Sequence, residues 1–393
     1  MRTHSIFRDR TPRPLGTILA LAALCAAALP AACNPSGVPV APGGGGTGTV
    51  AGRVQDLDGR PVPGAVVSLA GGPSATSTAD GRFLIRGAQP QVQASAAAAS
   101  PGYITGNTLL AVEAGKTTVH TFSLIPRAPA QQLNAATGGR VSFADGGSVS
   151  IPPASLVDAN GRPATGEVSV RATYIDPNDP RQVDAAPGNY LSRDSLGRTV
   201  AIETRGMVEV VAFDARGGAL QLARGQQATL TWPASTRMDG NLYEFSSTTG
   251  FWDNVAPIER QISMRRIALY NVDKPIRRLT CVRVTTSPRL AGVRVVVRGP
   301  GYRLAADGVT DDGGTAVVAV PASDAVRIGT SSFTAPSVRV QASAPAVAAP
   351  VAGCGTQAAL AAVLPIPSEA IRLGLLDGTY VQPTRSGTLA SLR

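Results

Sequence analysis

The sequence predicts an all-β protein, a tandem array of small β-sandwich domains behind a flexible tether. Three observations carry this. Glycine (43) and proline (31) interrupt the 393-residue chain every few residues, which suits short strands and tight turns and leaves little room for long helices. Runs rich in Val, Ile and Thr alternate apolar and polar residues with a period of two, most clearly around Val168 and Val208. Asp-Gly pairs recur between such runs, at Asp58-Gly59, Asp80-Gly81 and Asp312-Gly313, and supply the positive φ that hairpin turns need. Aromatic residues make up only 4%, so the expected cores are small and built from Val, Leu, Ile and Ala.

Taken in order, the first element is a targeting segment. Arg2, Arg8, Arg10 and Arg13 precede an uncharged apolar run from Leu15 to Leu29, which leads into Ala31-Ala32-Cys33. At about 15 residues, or roughly 22 Å as a helix, the run is short for a ~30 Å hydrocarbon core. Residues 1–32 are therefore expected to be a signal peptide. Leu29-Pro30-Ala31-Ala32-Cys33 resembles a bacterial lipobox, with Cys33 as the acylated residue, although Pro30 stands where an aliphatic residue is usual. The resemblance implies an exported envelope lipoprotein held to the membrane by an N-terminal lipid. Asn34, rather than aspartate, after the cysteine favours the outer membrane; cleavage near Ala32 and release as a soluble secreted protein is the alternative. Residues 33–48, with Gly43 to Gly46, read as a flexible tether.

Short strands begin at Thr49. Gly-x-Val, then Gly59-x-Pro61-Val62-Pro63-Gly64-Ala65-x-Val67, Asp80-Gly81-x-Phe83 and Pro101-Gly102-Tyr103 follow one another over residues 49–125. This order resembles the carboxypeptidase regulatory-like domain, a transthyretin-like β-sandwich found as an accessory module. What it implies is fold; no His-x-x-Glu pair accompanies it, so no peptidase metal site comes with it. The fold expectation thereby sharpens to tandem transthyretin-like or immunoglobulin-like sandwiches.

Residues 126–136 read as a linker and 137–256 as a β-rich middle domain. Its opening Gly138-Gly139 and Ile151-Pro152-Pro153 resemble the β-rich domain of ankyrins and netrin receptors, and the whole block resembles the corresponding region of cartilage intermediate layer protein. A third block, about 270–366, echoes the first: Gly292-Val293-x-Val295 followed by Asp312-Gly313 matches Gly64-Ala65-x-Val67 followed by Asp80-Gly81. It resembles a second, diverged regulatory-like sandwich. Pro300-Gly301-Tyr302 does not share the register of Pro101-Gly102-Tyr103 and is no part of that echo. Residues 367–393 form a tail without assignment. In an exported chain Cys281 and Cys354 are expected to form a disulfide, two separate buried thiols being the alternative.

The inventory for catalysis is thin. Beyond His4 in the targeting segment, His120 is the single histidine, in the strand-like run Val119-His120-Thr121-Phe122, and no Gly-x-Ser-x-Gly elbow occurs. Asp56/Asp58 and Asp311/Asp312 offer few of the oxygens that calcium needs and fit Asp-Gly turns instead. No catalytic residue, cofactor or metal is expected. A hydrolase using Glu203, Glu209 or Glu244 is the enzymatic alternative, and a purely architectural spacer is another. Charge gives the strongest functional signal. Residues 259–303 hold ten arginines and Lys274 against Glu259 and Asp273. The expected binding surface is Arg277, Arg278, Arg283, Arg294 and Arg298, facing an anionic glycan, a lipid headgroup or an acidic protein. Nucleic acid is not an expected partner, because aromatics are not interleaved with the basic residues. The competing explanation is a set of solvated arginine-rich strand faces.

Overall fold

A computed structural model describes residues 46–276, 278–304, 308–322, 325–330, 337–341, 360–368 and 376–381. The expected signal peptide, Cys33, Arg277 and Cys354 lie outside these residues.

The first sandwich consists of β1 (Gly48–Asp56), β2 (Val66–Leu69), β3 (Ser74–Thr76), β4 (Arg82–Ala88), β5 (Gln91–Ala99), β6 (Gly106–Val112) and β7 (Lys116–Leu124). β1 lies between β4, antiparallel, and β7, parallel, while β3-β2-β5-β6 form the facing sheet. Alternation sends Val50, Val54, Val67, Phe83, Ile85, Leu110, Phe122 and Leu124 into the core, opposite the small Ala96 and Ala98. Each large side chain so buried stabilises by about 1.5–3 kcal/mol. The hairpin turn after β1 shows what the aspartates do: Asp56 Oδ1 accepts the backbone N–H groups of Asp58 and Arg60, both at 2.9 Å. The same closure recurs at Asp158, Asp194, Asp214 and Asp311. These aspartates therefore act as turn closures for the chain itself.

The middle domain contains β8 (Gln131–Asn134), β9 (Gly139–Ser142), β10 (Ser148–Ile151), β11 (Leu156–Val157), β12 (Glu167–Ile175), α1 (Pro180–Ala185), β13 (Leu191–Arg193), β14 (Thr199–Asp214), β15 (Ala219–Leu222), β16 (Ala228–Thr231), β17 (Asn241–Ser246), β18 (Phe251–Pro257), β19 (Gln261–Met264) and β20 (Leu269–Ile276). A four-stranded layer, β19-β16-β10-β9, packs on a larger sheet organised around the long β14. Val149, Leu230 and Trp232 from one layer meet Val168, Val170, Val208 and Val210 from the other. Two expected boundaries shift. Residues 131–134, expected to be linker, pair with β12. Residues 270–276, expected to open the third block, pair with β14 and β17 inside the middle sheet. Alternation identifies a strand, but it does not say which sheet the strand joins.

The third sandwich is β21 (Leu279–Ser287), β22 (Val295–Gly299), β23 (Tyr302–Leu304), β24 (Thr315–Pro321), β25 (Ala325–Thr330), β26 (Ser337–Gln341) and β27 (Leu360–Pro365). β21 lies between antiparallel β24 and parallel β27, facing β23-β22-β25-β26. This is the strand order and direction of β1–β7, strand for strand. The expected tail contains β28 (Gly378–Val381), which pairs antiparallel with β7 and extends the first sandwich's sheet. Immediately before it, Asp377 is buried: its carboxylate accepts the Thr121 backbone N–H at 2.8 Å and the Thr121 hydroxyl at 3.2 Å. One apolar cluster joins all three blocks, from Leu109 and Ile125 through Tyr190 and Trp252 to Val295, Ile328 and Leu376.

Candidate functional site

The antiparallel register of the third sandwich places one arginine on each strand of its second sheet. Arg298 of β22 stands opposite Arg303 of β23, Arg327 of β25 stands opposite Arg298, and Arg339 of β26 stands opposite Arg327. The result is an unbroken row, Arg303–Arg298–Arg327–Arg339, across the sheet. It lies on the outer face, because Val295, Val297, Val326 and Ile328 fill the inner one. Directly opposed like charges destabilise a sheet, each pair on the order of 0.2–1 kcal/mol. Packing alone therefore gives no reason for four in succession.

The row forms one wall of a cleft of about 680 Å³. The other wall is the segment from Pro177 into α1. Asp179 caps that short helix by accepting the Arg181 N–H at 2.9 Å, with Pro180 at its first position. The buried Tyr190 hydroxyl donates to the Val183 carbonyl at 2.7 Å and so fixes the next residue, Asp184. The Asp184 carboxylate accepts Arg298 Nε at 2.7 Å and lies 3.9 Å from Arg303, which also donates to the Asp184 backbone carbonyl. From behind, the turn between β22 and β23 is seated on the middle domain. Thr204 N–H donates to the Gly301 carbonyl at 2.9 Å. Gly301 has φ +71°, and a Cβ there would lie 2.6 Å from the Thr204 carbonyl oxygen, so no other residue fits the approach.

The inner half of the row is thus covered and paired; the Arg298 and Arg303 side chains keep only 13% and 11% of their exposure. Arg327 and Arg339 are exposed, and neither forms an ion pair with a described residue. Chemically the row offers two engaged and two available guanidinium groups, each a planar bidentate donor of the kind that suits carboxylate or phosphate.

The five arginines expected from sequence are not brought together. Arg298 is in the cleft. Arg294 is buried, and both its terminal nitrogens reach the Leu109 carbonyl, at 3.0 and 3.4 Å, where the first and third sandwiches meet. Arg283 is exposed on β21, in the opposite sheet, and Arg278 is exposed just before that strand. Arg303, Arg327 and Arg339 were not in the expected set.

The carboxylates of the hydrolase alternative are also dispersed. Glu209 makes a two-pronged pair with Arg127 at 2.7 and 2.8 Å, Glu203 pairs with Arg205, and Glu244 pairs with Arg266 at 2.5 Å. Glu209 and Glu244 stand opposite the consecutive residues Leu269 and Tyr270, and so emerge on opposite faces of the sheet. His120 is buried edge-on against Phe122, with Nδ1 3.5 Å from Asp377. Burial, with Arg294 and Arg303 nearby, holds its pKa well below the usual histidine value. Among the described residues no group of three or more His, Cys, Asp or Glu converges as a metal site would require.

Residues 49–125 match the carboxypeptidase regulatory-like domain. That regulatory-like sandwich contributes no cleft residue. Cartilage intermediate layer protein 2 of Mus musculus is 27% identical over 199 residues, covering 42% of this chain and 17% of that protein. The Homo sapiens protein is 27% identical over 182 residues, covering 38% and 16%. The chain thus matches only about a sixth of the length of these curated relatives. Among solved structures, the Bacillus anthracis TIE protein aligns at TM-score 0.19 and 12% identity, over 82% of this chain and 50% of that one. The major pilin SpaD from Corynebacterium diphtheriae aligns at 0.20 and 7%, over 82% and 98%. Nothing about function is transferred from scores this low. Among the described residues, no helix is long and apolar enough to cross a membrane.

Proposed function

We propose that this chain is a non-catalytic binding module of an exported cell-envelope lipoprotein, and that it holds an anionic envelope ligand in the cleft between α1 and the third sandwich. The observation that carries this is the arginine row, with two members left without a described counter-ion. The regulatory-like match at 49–125 supports an accessory, non-enzymatic role. The test is retention of the purified chain on isolated envelope fractions. Retention is expected at low ionic strength, with loss at high salt as screening grows, and loss in an Arg327→Gln/Arg339→Gln variant. Retention indifferent to both overturns the proposal.

Cys33 and Cys354 lie outside the described residues. Lipid attachment is assigned to Cys33, so Cys33→Ser should abolish acyl labelling; label retained on the variant removes the anchor. Cys281, buried on β21, is proposed to be linked to Cys354. Peptide mapping without reductant should recover the crosslinked pair, and alkylation of both cysteines in the native protein refutes the link.

A further inference from the structure

We infer that the ligand of the cleft is a linear acidic polysaccharide, laid across the strands along the arginine row. This rests on the anion-binding proposal above and narrows it to one class.

The spacing argues for a polymer. Neighbouring strands are separated by about 4.8 Å, so the four positions of the row span roughly 14 Å along a line perpendicular to the strands. A single phosphate or carboxylate satisfies one or two guanidinium groups; a row calls for a ligand with repeated charge. A uronic-acid chain carries one carboxylate on every sugar ring, so a short oligosaccharide offers several carboxylates within that span.

The shape of the cleft excludes the other anions. A membrane surface is flat, and the segment Pro177–Asp184 stands over Arg298 and Arg303, so headgroups in a plane reach only the outer pair. Single-stranded nucleic acid is held by stacking of bases on aromatic side chains. Among the described residues the sole aromatic lining the cleft, Tyr302, is buried at 1% exposure and offers no stacking face. Pro177, Pro180 and Pro300 instead give the cleft apolar surfaces against which the carbon faces of sugar rings can pack.

The arrangement also predicts an order of engagement. Arg327 and Arg339 meet the chain first. Asp184 already stands on Arg298 and Arg303 in the place of a carboxylate, so it works as an internal stand-in for the next ring's acid group.

The test is calorimetric titration of the full purified chain with oligogalacturonates from monomer to hexamer. Polyglutamate, inorganic phosphate and vesicles of phosphatidylglycerol serve as the other arms. Affinity should rise steeply until the chain is long enough to engage both Arg327 and Arg339 and then level off. Arg327→Gln and Arg339→Gln should each weaken the tetramer roughly tenfold. Affinity that does not depend on sugar number, or that survives the double variant, overturns the polysaccharide assignment. If polyglutamate, phosphate or vesicles bind through Arg327 and Arg339 while oligogalacturonate does not, the polysaccharide is wrong and the anion site stands. If no anionic probe responds to the double variant, both fall.

Discussion

The first and third sandwiches have the same seven strands in the same order, and the outer faces of their second sheets carry different rows of side chains. Across the sheet β3-β2-β5-β6 the register reads Ser74–Ser68–Ala97–Asn107. Across β23-β22-β25-β26 it reads Arg303–Arg298–Arg327–Arg339. The inner faces of both sheets are filled by small and aliphatic residues, so folding makes similar demands on each. The small row is packed toward the middle domain, with the Ser95 hydroxyl of β5 3.5 Å from the Ser247 carbonyl. The arginine row opens into a cleft. One fold thus serves once as a docking surface and once as a charged site, because its outer-face positions are not constrained by the core.

This comparison can be broken in several places. The largest effect is expected at Asp184, the carboxylate that makes the arginine row tolerable. Asp184→Ala leaves Arg298 and Arg303 opposed and mostly covered, and should cost about 3 kcal/mol in denaturant-unfolding stability. Sulfate should restore part of this where chloride does not. A loss under about 0.5 kcal/mol would mean that the row needs no counter-ion. Next is Asp377→Ala, which removes the acceptor of the half-buried Thr121 N–H and should cost about 2 kcal/mol. Hydrogen exchange should quicken at Thr121 and residues 116–119 and stay unchanged in β21–β25; uniform quickening would mean that the two sandwiches do not open separately.

The pH dependence tests the same junction. His120 is held neutral in the fold, whereas the unfolded chain takes up a proton near pH 6.5. Stability should therefore decline as the pH falls below about 6.5, and His120→Gln should flatten that decline. Asp273 has the opposite sign. Complete burial holds its carboxyl well above the usual range, so its contribution is greatest in acid and diminishes as the pH rises above about 4. A profile unchanged by His120→Gln would place the acid sensitivity elsewhere. The smallest effect is expected at Ser68→Ala in the neutral row, under about 0.5 kcal/mol by thermal unfolding.

Strands and turns were legible in the sequence because both are local. Period-two alternation marks a half-buried strand within a handful of residues, and an aspartate closing its own turn needs only the residues two and four ahead, as at Asp56 and Asp311. The equivalence of the two sandwiches was also visible, since Val67 and Val295 fall in corresponding strands. The site was only partly legible. The density of arginine pointed to the right region, but the row is a property of register, which joins Arg298 to Arg327 and Arg339 across intervening strands. Aligning the third block on the first and noting one outward arginine per strand would have found all four. The position of β20 and the partner of β28 depend on pairings between distant segments, and no short window of sequence carries that information.

β28 has a consequence for how the protein is made. Thr121 and Asp377, which meet at the edge of the first sandwich, are 256 residues apart in the chain. Any process that delivers the polypeptide from its N-terminus, whether synthesis or export, presents β1 to β7 long before the strand that completes their sheet. Until the tail arrives, β7 offers an open edge with its backbone groups unsatisfied. The first of the three domains to emerge is therefore finished only after the other two, and its closure reports that the middle domain and the third sandwich have already come through.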